Sequence, residues 1–472
     1  MKSGAKGMMV ITMNVYKNFK RYDIIIIGGG PGGLFTAYEL VNRGFDGDIL
    51  ILEQGKKVED REKSMSSSSI VFEDIIDLVH GIGGAGLFLD SKLCLDTVGT
   101  KIEASKDIIN YVDNVFLNLI GNRFKSKIPN VDKLKDKKEL VRNTKLEFYT
   151  YPIRFLGTDG GREFIRKMYS YLIKKGVEIE TSHKVIEVKK NNSFNVTAIS
   201  LKDGKIKQCI SNYLVVGVGA SGFRWVQRKL HPLGLSGVQN PTYIGIRLEF
   251  AEDVGRDIYE LSDNPKIKLF QDDFCVKTHC FCYKGYVISY KTPRGVLVDG
   301  HAYSTRNGTN NNMNILFKID TTFIKDPVTF SWDIISICNK VGSGKSILQR
   351  YENFKKGNFT NKIGNIKPSL NSYSLSNINM AYPRSICKML VEFVERLDKI
   401  FPGIADNDNL VYAPTLQWGM SRIHTNYNME SIACQNLYII GDCAGITQGI
   451  IAAATTGILA ARDIIKKYNK GG

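Results

Sequence analysis

The sequence predicts an α/β fold: a parallel, helix-flanked sheet assembled from discontinuous stretches of chain, joined to a mixed or antiparallel β-sheet domain. Three observations predict it. A run of β-branched residues, Asp23-Ile24-Ile25-Ile26-Ile27, stops at the glycine turn Gly28-Gly29-Gly30-Pro31-Gly32-Gly33 and leads through a helical stretch to a second apolar strand ending in Glu53. Near the other end, Asn436-Leu437-Tyr438-Ile439-Ile440 again reads as a strand that stops at a glycine, Gly441, ahead of a small-residue helix from Ile451 to Tyr468. From about Asn240 to Leu397 the pattern changes to alternating strands, such as Tyr243 to Phe250, Val287 to Tyr290, Gly295 to Val298 and Asn314 to Ile319.

The opening unit has a mechanism in each part. An apolar run without helical spacing suits a strand buried on both faces of a parallel sheet. Gly28, Gly30 and Gly33 form G-x-G-x-x-G. The first glycine permits the tight turn, the second lets backbone approach a pyrophosphate, and the third lets the helix pack on the strand. The helix, expected from Leu34 to Arg43 with Gly44 as its stop, would aim its N-terminal amides at phosphate. Glu53 lies twenty-five residues after Gly28, where an acid can accept both ribose hydroxyls of an adenosine. A carboxylate there repels the 2′-phosphate of NADP, which leaves FAD or NAD.

With 472 residues, 43% of them hydrophobic, the chain can bury a sizeable core and divide into two or three domains. No run of about eighteen apolar residues exists to span a membrane. The first twenty-two residues hold Lys2, Lys6, Lys17, Lys20 and Arg21 and no acid, and read as a flexible basic extension rather than a targeting arm. The net charge of +17 would attract a nucleotide, an acidic substrate, a nucleic acid or a membrane surface. One block, Lys340, Lys345, Arg350, Lys355, Lys356, Lys362 and Lys367, is opposed locally only by Glu352 and reads as a solvated face. Nine scattered cysteines do not form a disulfide framework, so a reducing, cytoplasmic compartment is expected.

Between the two ends, Ser66 to Ser69 reads as a loop and Phe72 to Val79 has helical spacing. His80 to Leu93 holds a second glycine cluster whose density suggests close approach to a flat ligand. Residues 101 to 150 read as helices and charged loops, and a helix follows from Gly157 to Lys175. Val177 to Thr181 and Lys184 to Lys189 read as strands that return to the first sheet, with the backbone of His183 to Val185 available to an adenine edge. Tyr213 to Val216 feeds a second G-x-G-x-x-G, Gly217 to Gly222, but no strand ending in an acid follows at the right distance. It is expected to lead out of the first domain rather than to bind a second nucleotide. Gly342-Ser343-Gly344-Lys345-Ser346 resembles a phosphate loop yet lacks its first glycine and a preceding strand. Cys275, His279, Cys280 and Cys282 lack C-x-x-C spacing and are expected to be packing residues rather than metal ligands.

Asp442, placed directly after a parallel strand and facing a helix N-terminus, suits a ligand with both a polyhydroxyl chain and an anionic ring. FAD has both features and NAD has neither, so the two ends of the chain together select FAD.

On these motifs the chain resembles the FAD-dependent dehydrogenases of the two-dinucleotide-binding-fold flavoproteins, within a poorly characterised bacterial and archaeal subfamily. The resemblance runs from Tyr22 to about Ile465, with landmarks at the opening fingerprint, Gly81 to Leu93, Leu156-Gly157-Thr158-Asp159, Cys280 to Gly285, and Gly441 to Arg462. It implies a Rossmann-like FAD-binding domain of the glutathione-reductase and p-hydroxybenzoate-hydroxylase type over residues 22–100, 151–225 and 405–472. A basic extension over 1–21, a helical insertion over 101–150 and a substrate, or cap, domain over 226–404 complete the expected organisation. Gly28, Gly30, Pro31 and Gly33 would hold the pyrophosphate and Glu53 the ribose; Gly83, Gly84, Ala85 and Gly86 would lie beside the flavin. Val185 and Gly219 join the cofactor set, Asp442 would bind the ribityl chain, and Gly445, Thr447, Gln448 and Gly449 would lie at the pyrimidine edge. The chain departs from the family's pattern at Leu89-Asp90-Ser91-Lys92, at Cys443 and Gln448, and at Ser66 to Ser69.

The function so implied is an oxidoreductase passing a hydride or electron pair between a small-molecule, anion-compatible substrate and the flavin, with NADH or NADPH as a candidate transient donor. Lys92, His80 and Cys280 are acid–base candidates by position alone. One rival is an FAD monooxygenase, which commonly shows an Asp-Gly pair where this chain has Ser221-Gly222. Another is an RNA-associated flavoprotein using its basic surface, which salt-dependent nucleic-acid binding would reveal.

Overall fold

A computed structural model describes residues 19–65, 71–72, 78–96, 100–102, 105–292 and 294–471. Its first sheet is built around strand Lys20–Ile27, which pairs in parallel with Ile49–Leu52 on one side and Ile206–Val216 on the other. Glu178–Glu180 extends the parallel ladder beyond Ile49–Leu52. The long strand Ile206–Val216 serves two partners along one edge. Its first half takes the antiparallel strand Phe194–Ser200, itself paired with His183–Lys190, and its last three residues take the closing strand Leu437–Ile439 in parallel. The carboxyl ends of the parallel strands therefore converge at Ile27, Leu52, Val216 and Ile439, the side where open α/β sheets receive ligands.

Burial follows the sequence pattern. Ile24 to Ile27, Ile49 to Leu52 and Leu437 to Ile439 are all buried. Helix Pro31–Asn42 starts earlier than the pattern suggested because Pro31 occupies its first turn, where a missing N–H costs nothing. It packs closely on the terminal helix Ile450–Gly471: a Cβ on Gly457 would stand 2.2 Å from the Gly32 carbonyl oxygen.

The second sheet has eight strands in the order Tyr373–Leu375, Ser346–Arg350, Leu410–Gln417, Thr242–Phe250, Asn311–Ile319, Phe274–Cys282, Lys266–Gln271 and Leu146–Tyr149. Only the first pair is parallel. A smaller sheet of Gly295–His301, Tyr286–Thr292 and Val71–Phe72 accompanies it. The architecture is thus α/β, with a Rossmann-like parallel sheet and a mixed sheet beside it.

Several expectations need correction. Strand Leu410–Gln417 belongs to the second sheet, although it lies beyond the expected boundary at 405. The stretch 101–150 carries strand Leu146–Tyr149, which edges that same sheet, besides helix Lys106–Ile120. Lys20 and Arg21 are strand residues rather than part of an extension; the rest of that extension, and Ser66 to Ser69, lie outside the described residues, as do the middle positions of Phe72 to Val79. Within the alternating region, Glu252–Leu261, Pro327–Val341 and Arg384–Asp398 are helices. Gly342 to Lys345 turns from helix into strand Ser346–Arg350, the reverse of a phosphate loop's order. Part of the basic block is paired: Arg350 meets Asp408 at 2.5 Å and Lys355 meets Glu395 at 2.8 Å, both from distant segments, while Lys356 takes the local Glu352 at 2.6 Å. All nine cysteines are free thiols. Among the described residues no helix is long and apolar enough to cross a membrane.

Candidate cofactor and substrate cleft

One cleft of about 780 Å³ lies where the parallel strands end, within the size range of small-molecule and cofactor sites. Gly28, Gly30, Pro31, Glu53, Gly84, Ala85, Gly86, Val185, Gly219, Asp442, Gln448 and Gly449 line it; Gly33, Gly83, Gly445 and Thr447 do not.

The opening turn shows why its glycines differ. Gly28 has φ +109°, and a Cβ there would sit 2.3 Å from the Gly217 carbonyl oxygen, so the two glycine turns abut. A Cβ on Gly33 would stand 2.0 Å from the carbonyl oxygen of Gly28, which fixes the helix against the turn. Gly30 has nothing within 4 Å on that side, so its bare backbone faces open space in the cleft. The helix beginning at Pro31 has no side-chain cap and no acid in its first turn, leaving its N-terminal field directed at whatever enters.

Glu53 is buried, and its carboxylate is largely occupied. Oε2 accepts the Gly29 N–H at 2.7 Å, and Oε1 accepts Gly55 N–H at 2.7 Å and Gly81 N–H at 3.0 Å. A carboxylate has about four lone-pair positions, so roughly one, on Oε2, remains for a ligand hydroxyl. The expectation that it serves both ribose hydroxyls is corrected accordingly. Glu53 also ties the opening turn to the second glycine cluster.

Arg61 completes that tie and was missed in the sequence, where it sits in an unremarkable charged stretch. Fully buried, it donates from Nη1 to the Ile82 carbonyl at 2.9 Å and from Nη2 to Leu78 at 2.8 Å and Gly84 at 3.1 Å. Its guanidinium stacks 3.7 Å from the centre of the Phe88 ring. Gly83 donates its N–H to the Gly29 carbonyl at 2.8 Å and packs on Ile165 instead of lining the cleft.

At the closing end, Asp442 is half-buried with its carboxylate in the cleft. Burial pushes its pKa up to about 6, opposed by the Thr447 hydroxyl, which donates to Oδ1 at 2.7 Å, and by the Gly449 N–H. Thr447 thus acts behind Asp442. Gly445, with φ +71°, packs against the Ser421 carbonyl, where a Cβ would meet oxygen at 2.2 Å. Gln448 accepts from the Gln417 amide, and Gly449, φ +102°, leaves its open side to the cleft. Gly219 does the same from the second turn, with φ +66°. The Val185 carbonyl is engaged by the Trp225 indole at 2.9 Å, so its backbone is only partly available to a ligand.

The second and third sheets supply the opposite wall, with His279, Tyr290, Asp299, Gln417 and Trp418. Asp299 Oδ1 accepts the Gly300 N–H at 2.8 Å and Arg247 Nη1 at 3.1 Å. Burial raises the Asp299 pKa, and Arg247 opposes the rise. Arg247 is fully buried and is held by Asn312 Oδ1 at 2.7 Å and Cys282 Sγ at 3.3 Å. Burial, then the neighbouring Lys266 and Lys277, keep His279 neutral, its pKa well below the usual imidazole range. A bulge between Thr278 and Phe281 interrupts the pairing of this strand where His279 lines the cleft.

Of the three acid–base candidates, His80 lines the cleft and places Nε2 2.8 Å from the Ser221 hydroxyl. Lys92 is paired with Asp90 at 2.6 Å away from the lining, and Cys280 also lies outside it. No cluster of three or more His, Cys, Asp or Glu placed to hold a metal ion occurs among the described residues.

Residues 250–415 match the family described as FAD-dependent protein, C-terminal domain-like. An uncharacterized protein of Clostridium beijerinckii (strain ATCC 51743 / NCIMB 8052) is 24% identical over 477 residues, covering 94% of this chain and 81% of the relative. Among solved structures, a geranylgeranyl bacteriochlorophyll reductase-like protein from Thermoplasma acidophilum aligns with 96% of this chain and 80% of its own, at 13% identity and a TM-score of 0.41. Glycine oxidase from Geobacillus kaustophilus aligns over 95% of each chain, at 11% identity and a TM-score of 0.41. The matched segment, the fingerprint at Gly28 to Gly33 and the parallel sheet give the chain the architecture of an FAD-dependent flavoprotein. The sequence resemblance to a poorly characterised FAD-dependent family agrees with this match.

Proposed function

We propose that the protein passes a hydride or electron pair between a small-molecule substrate and FAD in this cleft, as a dehydrogenase or reductase, with NADH or NADPH as a candidate donor. The observation that carries the reading is that Gly30 and Asp442, from opposite ends of the chain, line one continuous cleft. The first sheet and its helices would be the cofactor unit, and the second sheet the substrate unit.

The residues fit the cofactor. Gly30 and the start of helix Pro31–Asn42 would hold its pyrophosphate, Glu53 Oε2 one ribose hydroxyl, and Asp442 the ribityl chain; Gly84 to Gly86 would border its ring. When bound, FAD supplies the carrier for two electrons. The chain's own part is positioning and proton handling. Asp299 is the group to hold or move a substrate proton: its Oδ1 is fixed by Arg247 and Gly300 N–H, neither of which uses Oδ2. Trp418 and Tyr290 would exclude water beside it.

Absorption of the purified protein, followed by anaerobic mixing with NADH and with NADPH, tests the reading. A flavin spectrum that bleaches with either nucleotide identifies the donor, whereas a colourless protein that cannot be reconstituted with FAD overturns the proposal.

A further inference from the structure

The mouth of the cleft carries charge that neither the fingerprint nor the acid–base wall uses. Helix Phe223–Lys229 follows the second glycine turn and brings Arg224, Arg228 and Lys229 to the lining. The Trp225 indole, bonded to the Val185 carbonyl, fixes this helix to the first sheet. Arg294, at the tip of the hairpin that carries Tyr290 and Asp299, comes near enough to act on Arg224.

These cations are assembled at a cost. Burial depresses the Arg224 pKa, and the nearby Arg294 and Arg228 depress it further, with Asp326 the opposing charge. Asp326 forms no ion pair with Arg224; its Oδ1 caps helix Pro327–Val341 by accepting Thr329 N–H at 2.9 Å. Among the described residues none of Arg224, Arg228, Lys229 and Arg294 has a carboxylate within ion-pair distance, whereas Arg166, Arg350 and Arg462 each have at least one. Like charges gathered without counter-charges at a cleft rim focus field lines and concentrate anions there.

We propose that Arg224, Arg228 and Lys229 form an oxyanion-binding rim that receives a phosphate or carboxylate group of the small molecule reacting in the cleft. The inference rests on the oxidoreductase reading only for what happens next; the rim itself is a binding site. The oxyanion can belong to a nicotinamide nucleotide or to an acidic substrate.

The test uses flavin-loaded protein, so that the glycine turn is filled, and inorganic pyrophosphate as probe in isothermal titration. Saturable binding is expected, weakening with rising salt. Its dissociation constant should rise about tenfold in Arg224→Gln and again in an Arg228→Gln/Lys229→Gln double variant, and stay put in Lys345→Gln outside the cleft. Arg228 and Lys229 are exposed, so the double variant keeps the test open if Arg224→Gln folds poorly. Displacement of pyrophosphate by ADP-ribose assigns the rim to a nucleotide, and displacement by citrate alone to an acidic substrate; both support it. Equal pyrophosphate affinity in the wild type and the rim variants overturns it, as does displacement only by an RNA oligonucleotide. Loss of bound FAD in the rim variants, read from the visible spectrum, would reassign these cations to the cofactor and also overturn it. A colourless wild type counts instead against the oxidoreductase reading.

Discussion

Asp442 shows how a single half-buried carboxylate can cost stability. Its pKa of about 6 in the fold stands above the ordinary value of 3.8, so between those two values the native state holds a proton that the unfolded chain releases. Stability therefore falls as pH rises through this window, and the cost is fully in place above about pH 6; a shift of this size corresponds to ~3 kcal/mol. Removing the charge should reverse it. Asp442→Asn apoprotein should be more stable than wild type by up to ~3 kcal/mol at pH 7.5 and indistinguishable from it near pH 4, while retaining less FAD. Urea unfolding at the two pH values, with flavin content read from the spectrum, checks both halves. Glu53 is the opposite case, since its two oxygens satisfy three backbone amides. Glu53→Gln turns an amide NH₂ toward at least one of those N–H groups, and a loss of ~1–3 kcal/mol in urea unfolding is expected. No loss would show that the amides find other acceptors.

At the scale of elements, the helix pair Pro31–Asn42 and Ile450–Gly471 carries both ends of the cleft, and its closest approach is backbone on backbone at Gly32 and Gly457. Gly457→Ala sets two effects against each other. Alanine favours a helix by ~1 kcal/mol over glycine. Its Cβ would, however, stand 2.2 Å from a carbonyl oxygen that cannot rotate away, and overpacking of this kind costs ~1–3 kcal/mol. The second effect should win, giving a lower urea midpoint and weaker FAD retention; an unchanged midpoint would mean that the helices slide freely. Such elements also mark what the sequence could reveal. The strand Ile24 to Ile27 and the glycine turn are legible because their pattern is set by neighbours along the chain. Arg61 and the Asp299–Arg247 pair are not, because their partners arrive from other elements; Arg247 and Asp299 lie on different strands and meet only once the sheets have formed. Helix Arg384–Asp398 lies within the stretch that reads as alternating strands, although its apolar residues, Ile386, Leu390, Phe393 and Leu397, keep helical spacing. The boundary at 405 failed for a related reason: Leu410 to Gln417 reads as a strand, and nothing local says which sheet will take it.

For the whole molecule the question is whether the two sheets behave as one unit. One buried apolar cluster includes Ile24 and Leu214 of the first sheet, Ile244 and Ile315 of the second, and Trp332 of a helix that covers it. A core continuous across the cleft floor makes cooperative unfolding the expected behaviour, and the cleft above it draws residues from both sides. Anything that binds only the native cleft should then stabilise the entire chain. FAD at a thousandfold excess over its dissociation constant would contribute ~4 kcal/mol. Unfolding entropy scales with length, so for a chain of 472 residues this amounts to about 4 °C in the melting temperature. Calorimetry of apoprotein and loaded protein should show a single transition that moves upward as a whole. Two transitions, of which only one moves with FAD, would show that the two sheets unfold as separate units despite the shared core.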